Sequence, residues 1–163
     1  MKTTFDLKRT LDFLSELKAN NRKDWFDQHR VNYEDAKANF EAFVNGFISD
    51  FRTVEDFGAI SARDCMFRIN RDIRFSRDKS PYKPYLSAHI ARGGRNSGNL
   101  GYYLQLAPGG ESIIAGGLHT PSPEQLAQLA ATPRTVVIRY LPSDPGKFVM
   151  ITPAPAPDSA SVK

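Results

Sequence analysis

The spacing of the apolar residues changes along the chain from the period of a helix to the period of a strand. Between Tyr33 and Phe51 they recur at short helical intervals, which places them on one face of a helix. Between Tyr85 and Ile90 they alternate with polar residues, as on a strand that has one face in a core. Each pattern leaves one apolar face that must be covered. The sequence therefore predicts helices packed on one face of a sheet.

The N-terminal third is predicted to be helical. The apolar stripe of a first helix comprises Leu7, Leu11, Phe13, Leu14 and Leu17. Thr4 is its predicted N-cap, and Asp6 falls in the first turn, where a carboxylate suits the helix dipole. After a break at Asn20, Asn21 is predicted to cap the next helix, with Asp24 as its capping-box partner. A longer helix then carries its stripe at Tyr33, Ala36, Phe40, Phe43, Val44, Phe47, Ile48 and Phe51.

Strands are predicted after the helices, at Met66–Asn70, Tyr85–Ile90, Tyr102–Leu106 and Ser112–Leu118. The glycine-rich stretch 93–99 is predicted to be a hairpin loop, and Pro108-Gly109-Gly110 a turn. A short helix follows, with Ser122 as its N-cap and Gln125 completing a capping box. These elements predict an α+β fold: N-terminal helices pack on an antiparallel β-meander, which is followed by a short helix and a proline-rich tail.

Proline content separates the last part of the chain from the rest. Residues 1–131 are predicted to form a single α+β domain, and residues 132–163 a divergent proline-rich C-terminal segment. The prolines of that segment are Pro133, Pro142, Pro145, Pro153, Pro155 and Pro157. Thr135–Leu141 is a candidate strand, whereas the sequence from Pro153 onward offers no apolar face and is predicted to be mobile.

Composition places the chain among ordinary globular proteins. Apolar residues make up 40% and charged residues 25% of its 163 residues, which is the composition neither of a disordered nor of a membrane protein. Its apolar runs are too short for a transmembrane helix, its N-terminus lacks the apolar core of a signal peptide, and Cys65 is its only cysteine. We therefore expect a cytoplasmic protein that has no membrane partner.

Positive charge is concentrated in one part of the chain. The net charge is +4, and the stretch Arg68–Lys83, which we call the basic segment, holds six Lys and Arg against two Asp. Guanidinium groups bind phosphate and carboxylate through paired donors, and ammonium groups add point charges. The predicted anion-binding residues are Arg68, Arg71, Arg74, Lys79 and Lys83, with Asp72, Asp78, Ser80 and Tyr82 in support.

Three functions are compatible with the basic segment. In the first, it holds an anionic small molecule, for example the phosphate-bearing substrate of an enzyme. In the second, it belongs to a nucleic-acid-binding module, which the sequence pI near 9.3 and the nearby tyrosines favour. In the third, its Arg–Asp pairs only stiffen a long loop of a structural or interaction protein. The pattern does not separate the three, and it leaves catalysis open.

Other reactive side chains carry weaker signals. The histidines, His29, His89 and His119, show no metal-binding spacing, so no metal site is predicted. Cys65 is expected to be an inert, buried thiol. The stretch 93–99 matches neither the phosphate-binding nor the dinucleotide-binding glycine motif, and no motif identifies a cofactor.

Several strings of residues together resemble a known family. They are Asn20-Asn21, Trp25-Phe26, Tyr33, the run from Arg71 to Lys83, Gly101-Tyr102-Tyr103 and Pro108-Gly109-Gly110. These strings resemble the domain of unknown function 2461, a family of uncharacterised proteins of bacteria and some fungi, and the resemblance covers roughly residues 5–131. It implies no established activity, cofactor or catalytic residue. Family members generally continue with a further helical portion, where this chain has its proline-rich segment.

Overall fold

A computed structural model shows how these segments are arranged. It describes residues 5–117, 122–124 and 127, together with the backbone of residues 137–140 and 148–151. The chain divides into two compact units, Met1–Ala115 and Gly116–Lys163. No helix within the described residues is long and apolar enough to cross a membrane. The predicted domain limit at residue 131 stays a prediction, because the residues around it lie outside the described part.

The described helices are α1 (Leu7–Ala19), α2 (Lys23–Gln28), α3 (Arg30–Phe51) and α4 (Ala62–Cys65). The first and third are the helices that the apolar stripes predict. The N-cap of α1 is Asp6, whose carboxylate accepts a hydrogen bond from the backbone N–H of Arg9 at 3.0 Å. The prediction that Asp6 lies inside the first turn is therefore wrong, and Thr4 lies outside the described residues.

The junction between α1 and α2 also departs from its prediction. The N-cap of α2 is Arg22, which makes no capping hydrogen bond through its side chain. Asn21, the predicted cap, instead binds the backbone of Tyr82: its Nδ2 donates to the Tyr82 carbonyl at 2.8 Å, and its Oδ1 accepts from the Tyr82 N–H at 3.1 Å. We call this pair of bonds the Asn21 clamp. A primary amide pairs with both groups of a peptide, whereas an N-cap uses only its oxygen.

A three-stranded sheet has the strand order β1 (Leu86–Ala91), β2 (Gly101–Leu106), β3 (Ile113–Gly117). β1 and β2 pair antiparallel, with Leu86 opposite Leu106 and Ala91 opposite Gly101. The stretch 93–99 connects them and is the predicted hairpin loop. Gly109 and Gly110 turn the chain from β2 to β3 with φ angles of 75° and 78°, a conformation that glycine adopts without strain. The predicted α+β fold is confirmed.

The predicted strand Met66–Asn70 does not form. Met66 forms an isolated bridge with Ala88, and Asn70 forms another with Tyr82. Between the two bridges the chain advances four residues from 66 to 70 but six from 82 to 88. No single register therefore fits the whole stretch. Pro84 lies within the longer side and has no N–H to donate to a ladder. The segment is consequently extended but is not a strand of the sheet.

The helices cover one face of this sheet. The side chains of β1 and β2 on that face are Leu86, Ala88, Ile90, Tyr102, Leu104 and Leu106. Phe40 of α3 is fully buried among them, and the stripe residues of α1 join the same core. Tyr102 makes edge-to-face contacts with Phe47 and Phe51, whose ring centroids lie 5.6 and 5.4 Å away. The predicted packing of helix stripe on strand alternation is confirmed.

In the second unit, β4 (Val137–Tyr140) and β5 (Phe148–Ile151) pair antiparallel in a sheet of their own. β4 lies within the candidate strand Thr135–Leu141, whereas β5 was not predicted. The Ser122 hydroxyl donates to the Glu124 carboxylate at 2.7 Å. Gln125 and the tail from Pro153 to Lys163 lie outside the described residues, so the predictions made for them stay predictions.

Candidate functional site

The basic segment is a loop that is anchored at its base, just before β1 begins. At its base the Arg71 N–H donates to the Pro81 carbonyl at 2.9 Å, and the Asn21 clamp holds the backbone of Tyr82. The Tyr82 ring is buried and stacks on Phe26, with ring centroids 3.9 Å apart. The Tyr82 end of the loop is therefore fixed to the helical layer, and the Arg71 end is bonded to the neighbouring Pro81.

Asp78 holds Arg71 inside this loop. Its carboxylate accepts hydrogen bonds from the Ser80 backbone N–H, at 2.9 Å, and from Arg71 Nη1, which also donates to the Ser80 hydroxyl at 2.8 Å. The bonds from Ser80, followed by the one from Arg71, lower the pKa of Asp78 to about 2. Asp78 is consequently ionised at neutral pH and offsets the charge of Arg71.

The charged side chains at the tip of the loop bind other groups of the same loop. Arg74 forms a paired contact with Asp72, Nε to Oδ1 at 2.9 Å and Nη2 to Oδ2 at 2.6 Å, which lowers the pKa of that carboxyl. Lys79 Nζ donates to the Ile73 carbonyl at 2.9 Å. Phe75, at the end of the tip, is 95% exposed. Arg74 and Lys79 therefore contribute to the shape of the loop.

A cleft of about 290 Å³ opens beside the base of the loop, lined by Arg71, Asp72, Lys83, Pro84 and Tyr85. We call it the basic cleft. Lys83 Nζ donates to the Arg68 carbonyl at 3.0 Å and lies 5.8 Å from the centre of the Phe67 ring. Burial, and then the charges of Arg68 and Arg71, lower the pKa of Lys83. Arg68, Arg71 and Lys83 are thus close enough to act on one another.

The structure places the predicted site residues in three groups. Arg71 and Lys83 line the basic cleft, where Asp72 forms part of the wall, and Arg68 lies near enough to Lys83 to lower its pKa. Asp78 and Ser80 accept hydrogen bonds from the Arg71 guanidinium group, and Arg74 and Lys79 lie in the tip of the loop. Tyr82 belongs to the core rather than to the cleft. The regular spacing of the arginines in the sequence therefore does not correspond to one continuous patch.

Sequence reasoning missed the face of the sheet opposite the helices, which we call the polar face. Because Tyr82 and Leu86 belong to the core, the intervening alternation directs Lys83 and Tyr85 to the other side. The polar face comprises Lys83, Tyr85, Ser87 and His89, beside Tyr103 and Gln105 of β2. Ser87 and His89 are only 4% and 6% exposed. The signal in the sequence was the alternation itself, to which no role was assigned.

The remaining reactive side chains do not form a site within the described residues. Burial raises the pKa of the Cys65 thiol to about 11, so the thiolate is scarce at neutral pH. His29 lies 2.8 Å, through Nδ1, from the Trp25 carbonyl and stacks on the Trp25 ring. No group of three or more potential metal ligands occurs in the part of the chain that the structure describes. His119 lies outside that part.

A second cleft, of about 440 Å³, lies between α1 and α3. Its charged lining is mostly acidic: Asp6, Asp12, Glu16 and Asp35 against Arg9. Arg9 is itself paired with Asp35, with 3.4 Å between Nη2 and Oδ2. Anions are repelled from a cleft with this lining, so it does not compete with the basic cleft as an anion site.

Comparison with known proteins agrees with the sequence strings. A family model described as conserved hypothetical protein (DUF2461) matches residues 9–132, close to the stretch over which the strings were found. Searches of the curated proteins and of the solved structures give no match. The match covers most of the chain and includes most of α1, all of α3, the basic segment and the three-stranded sheet. The chain therefore belongs to the DUF2461 family of conserved hypothetical proteins.

Proposed function

We propose that the protein binds a small anion in the basic cleft, held by Arg68, Arg71 and Lys83. The observation that carries the proposal is an excess of positive charge in a partly desolvated recess. Asp78 is paired with Arg71, and Asp72 is paired with Arg74. Arg68 and Lys83 form no ion pair with any carboxylate of the described residues. An anion from solution supplies the missing charge.

The interpretation of the segment as a mere scaffold accounts for part of this geometry. The contacts of Arg74 with Asp72, and of Lys79 with the Ile73 carbonyl, shape the tip and need no ligand. The bond from Lys83 Nζ to the Arg68 carbonyl fits a scaffold as well. A scaffold does not offset the desolvation of the Lys83 ammonium group or its repulsion by Arg68 and Arg71, which an anion would offset. We therefore confine the proposed site to the base of the loop.

The shape of the site favours a small molecule over a nucleic acid. The basic cleft is concave and of about 290 Å³, near the lower end of the range for small-molecule sites. Binding of a nucleic-acid strand relies on several phosphate contacts along a track, and its affinity falls steeply with salt. A ligand held at one recess loses much less affinity as salt increases. The salt dependence of binding therefore separates the two functions.

The experiment compares two lysines of the same loop. Lys83 and Lys79 each donate to one backbone carbonyl, at 3.0 and 2.9 Å, but only Lys83 lines the basic cleft. Thermal unfolding is followed with and without inorganic phosphate at fixed ionic strength. Phosphate at ~100 times its dissociation constant is expected to add about 2.7 kcal/mol to the stability of the wild type and of Lys79→Met. Lys83→Met is expected to lose that gain.

Two outcomes would contradict the proposal. The first is the absence of any stabilisation by phosphate beyond that of a chloride salt of equal ionic strength, which would favour the scaffold. The second is an equal loss in both lysine variants, which would show that phosphate acts on the loop generally. Stabilisation by short single-stranded DNA that disappears steeply with added salt would support the nucleic-acid-binding module instead.

A further inference from the structure

Lys83 differs from the other described lysines in what surrounds its amine group. Most of those lysines are paired with a carboxylate, which stabilises the protonated amine. These ion pairs are Lys8–Asp12, Lys18–Glu111, Lys23–Asp27 and Lys37–Glu34. Lys79 and Lys83 form no ion pair within the part of the chain that the structure describes, and each donates to a backbone carbonyl instead. Of these two, only Lys83 lines the basic cleft.

The surroundings of Lys83 favour the neutral amine. Its side chain is half-buried, and Arg68 and Arg71 place like charges near it. Hydrogen bonding to a carboxylate raises the pKa of Lys8 and of Lys23, whereas burial, followed by the two arginines, lowers the pKa of Lys83. A lysine that is desolvated beside another cation is one of the forms in which enzymes use this side chain as a nucleophile.

The hydrogen bond of Lys83 is compatible with such a role. Its Nζ donates to the Arg68 carbonyl at 3.0 Å, and a carbonyl oxygen takes only an N–H hydrogen. A neutral amine that donates in this way keeps its lone pair. The bond also positions the nitrogen, because it joins the side chain to a backbone group 15 residues away. Lys83 therefore combines an available lone pair with a defined place in the wall of the cleft.

Arg71 supplies an anion-binding group in the same cleft. Its Nη1 donates to Asp78 and to Ser80, which uses both hydrogens of that nitrogen. Nε and Nη2 carry the remaining donors, which bind no acceptor among the described residues, and the side chain is 26% exposed. A guanidinium group binds a carboxylate through two donors of this kind. Asp78 thus holds one side of the guanidinium group and leaves the other side for a ligand.

We propose that Lys83 forms an imine with a 2-oxo acid whose carboxylate is bound by Arg71. The two side chains line one cleft of about 290 Å³, so the carbonyl and carboxylate groups of the ligand must lie close together, as they do in a 2-oxo acid. The Lys83 lone pair attacks the carbonyl carbon, and the carbonyl electron pair moves to the oxygen. Both hydrogens of the amine leave with that oxygen as water, so C=N replaces C=O without any oxidant or reductant.

This inference rests on the proposed function, because the carboxylate takes the place of the anion, and it adds a ligand class and a covalent step. The test is reductive trapping with pyruvate as the probe. The full chain is incubated with pyruvate and sodium cyanoborohydride, which reduces an imine to a stable amine, and peptide mass spectrometry locates the adduct. The adduct is expected at Lys83, and Lys8, whose pKa is raised by its hydrogen bond to Asp12, is expected to react less. Inorganic phosphate at fixed ionic strength is expected to slow the reaction at Lys83.

Lys83→Arg is the deciding variant, since it keeps a positive charge for the anion but has no amine that forms an imine. It is expected to retain the stabilisation by phosphate and to lose the adduct. Lys79→Arg is the matched control and is expected to retain both.

Three outcomes overturn this inference alone. They are stabilisation by phosphate without an adduct at Lys83, an adduct that forms equally in Lys83→Arg, and a reaction at Lys83 that phosphate does not slow. Absence of both the stabilisation and the adduct overturns the proposed function as well.

Discussion

The two faces of β1 are buried to similar extents, but one carries apolar side chains and the other carries polar ones. On the helical side, Leu86, Ala88 and Ile90 are at most 2% exposed and join one apolar core. On the other side, Ser87 and His89 are nearly as inaccessible although both are polar. Burial of the first kind is driven by the hydrophobic effect, whereas burial of the second kind stabilises the protein only as far as each polar group finds a partner. The helical side is thus expected to depend on apolar packing, and the polar side on its hydrogen bonds.

The largest expected effect is on the helical side. Phe40→Ala is expected to lower the free energy of unfolding by about 3–5 kcal/mol, because Phe40 is fully buried and the surrounding helices cannot close the cavity. Urea denaturation monitored by the fluorescence of Trp25 measures the change. A loss below about 1 kcal/mol would show that the core does not depend on this helix stripe.

The polar contacts that attach the basic segment to the helices are expected to contribute less. Asn21→Ala removes both bonds of the Asn21 clamp and leaves the peptide groups of Tyr82 without these partners. The expected loss of stability is about 1–3 kcal/mol. Asn20→Ala is the control, since the Asn20 amide donates only to the Glu16 carbonyl at the exposed end of α1. Equal losses in the two variants would contradict the role of the clamp.

Asp78 is expected to make the stability of the loop depend on acidity. Its pKa of about 2 in the folded protein lies below the ordinary aspartate value of 3.8. The native state therefore gains stability from Asp78 above the unfolded pKa, and this gain is lost as the pH falls from about 4 towards 2. The melting temperatures of the wild type and of Asp78→Asn should accordingly converge in that range. A constant difference between them down to pH ~2 would contradict the assignment.

The smallest expected effect is at the tip of the loop. Phe75 is 95% exposed, so Phe75→Ala removes almost no buried surface. The expected change in the free energy of unfolding is within about 0.5 kcal/mol. A clearly larger loss in the same urea assay would mean that the tip packs against another part of the chain in solution.

The fold was largely predictable because its signals are local. The stripe of α3 and the alternation along β1 and β2 each lie within one stretch of sequence, and each predicts its own apolar face. The clamp was not predictable from Asn21, because the same side chain caps helices equally well and its partner lies 61 residues away. The failed strand at Met66–Asn70 likewise depends on its unequal pairing with residues 82–88, which lie later in the sequence.

The candidate site was predictable in composition but not in arrangement. Six basic residues marked the basic segment as unusual. Which of them converge depends on the path of the loop, in which Asp78 binds Arg71 and Asp72 binds Arg74. Tyr85 was visible as a strand residue, but its place in the cleft beside Arg71 depends on the path of the folded loop.

The Asn21 clamp also bears on the order in which the chain folds. It joins positions 61 residues apart, so the chain must lose the entropy of closing that loop before the two hydrogen bonds form. Contacts of this separation are expected to be absent from an early transition state that is built from local helix packing. Asn21→Ala should then accelerate unfolding and leave the folding rate nearly unchanged. The Asn21 side chain, which fixes the proposed site in place, would in that case also slow the unfolding of the native state.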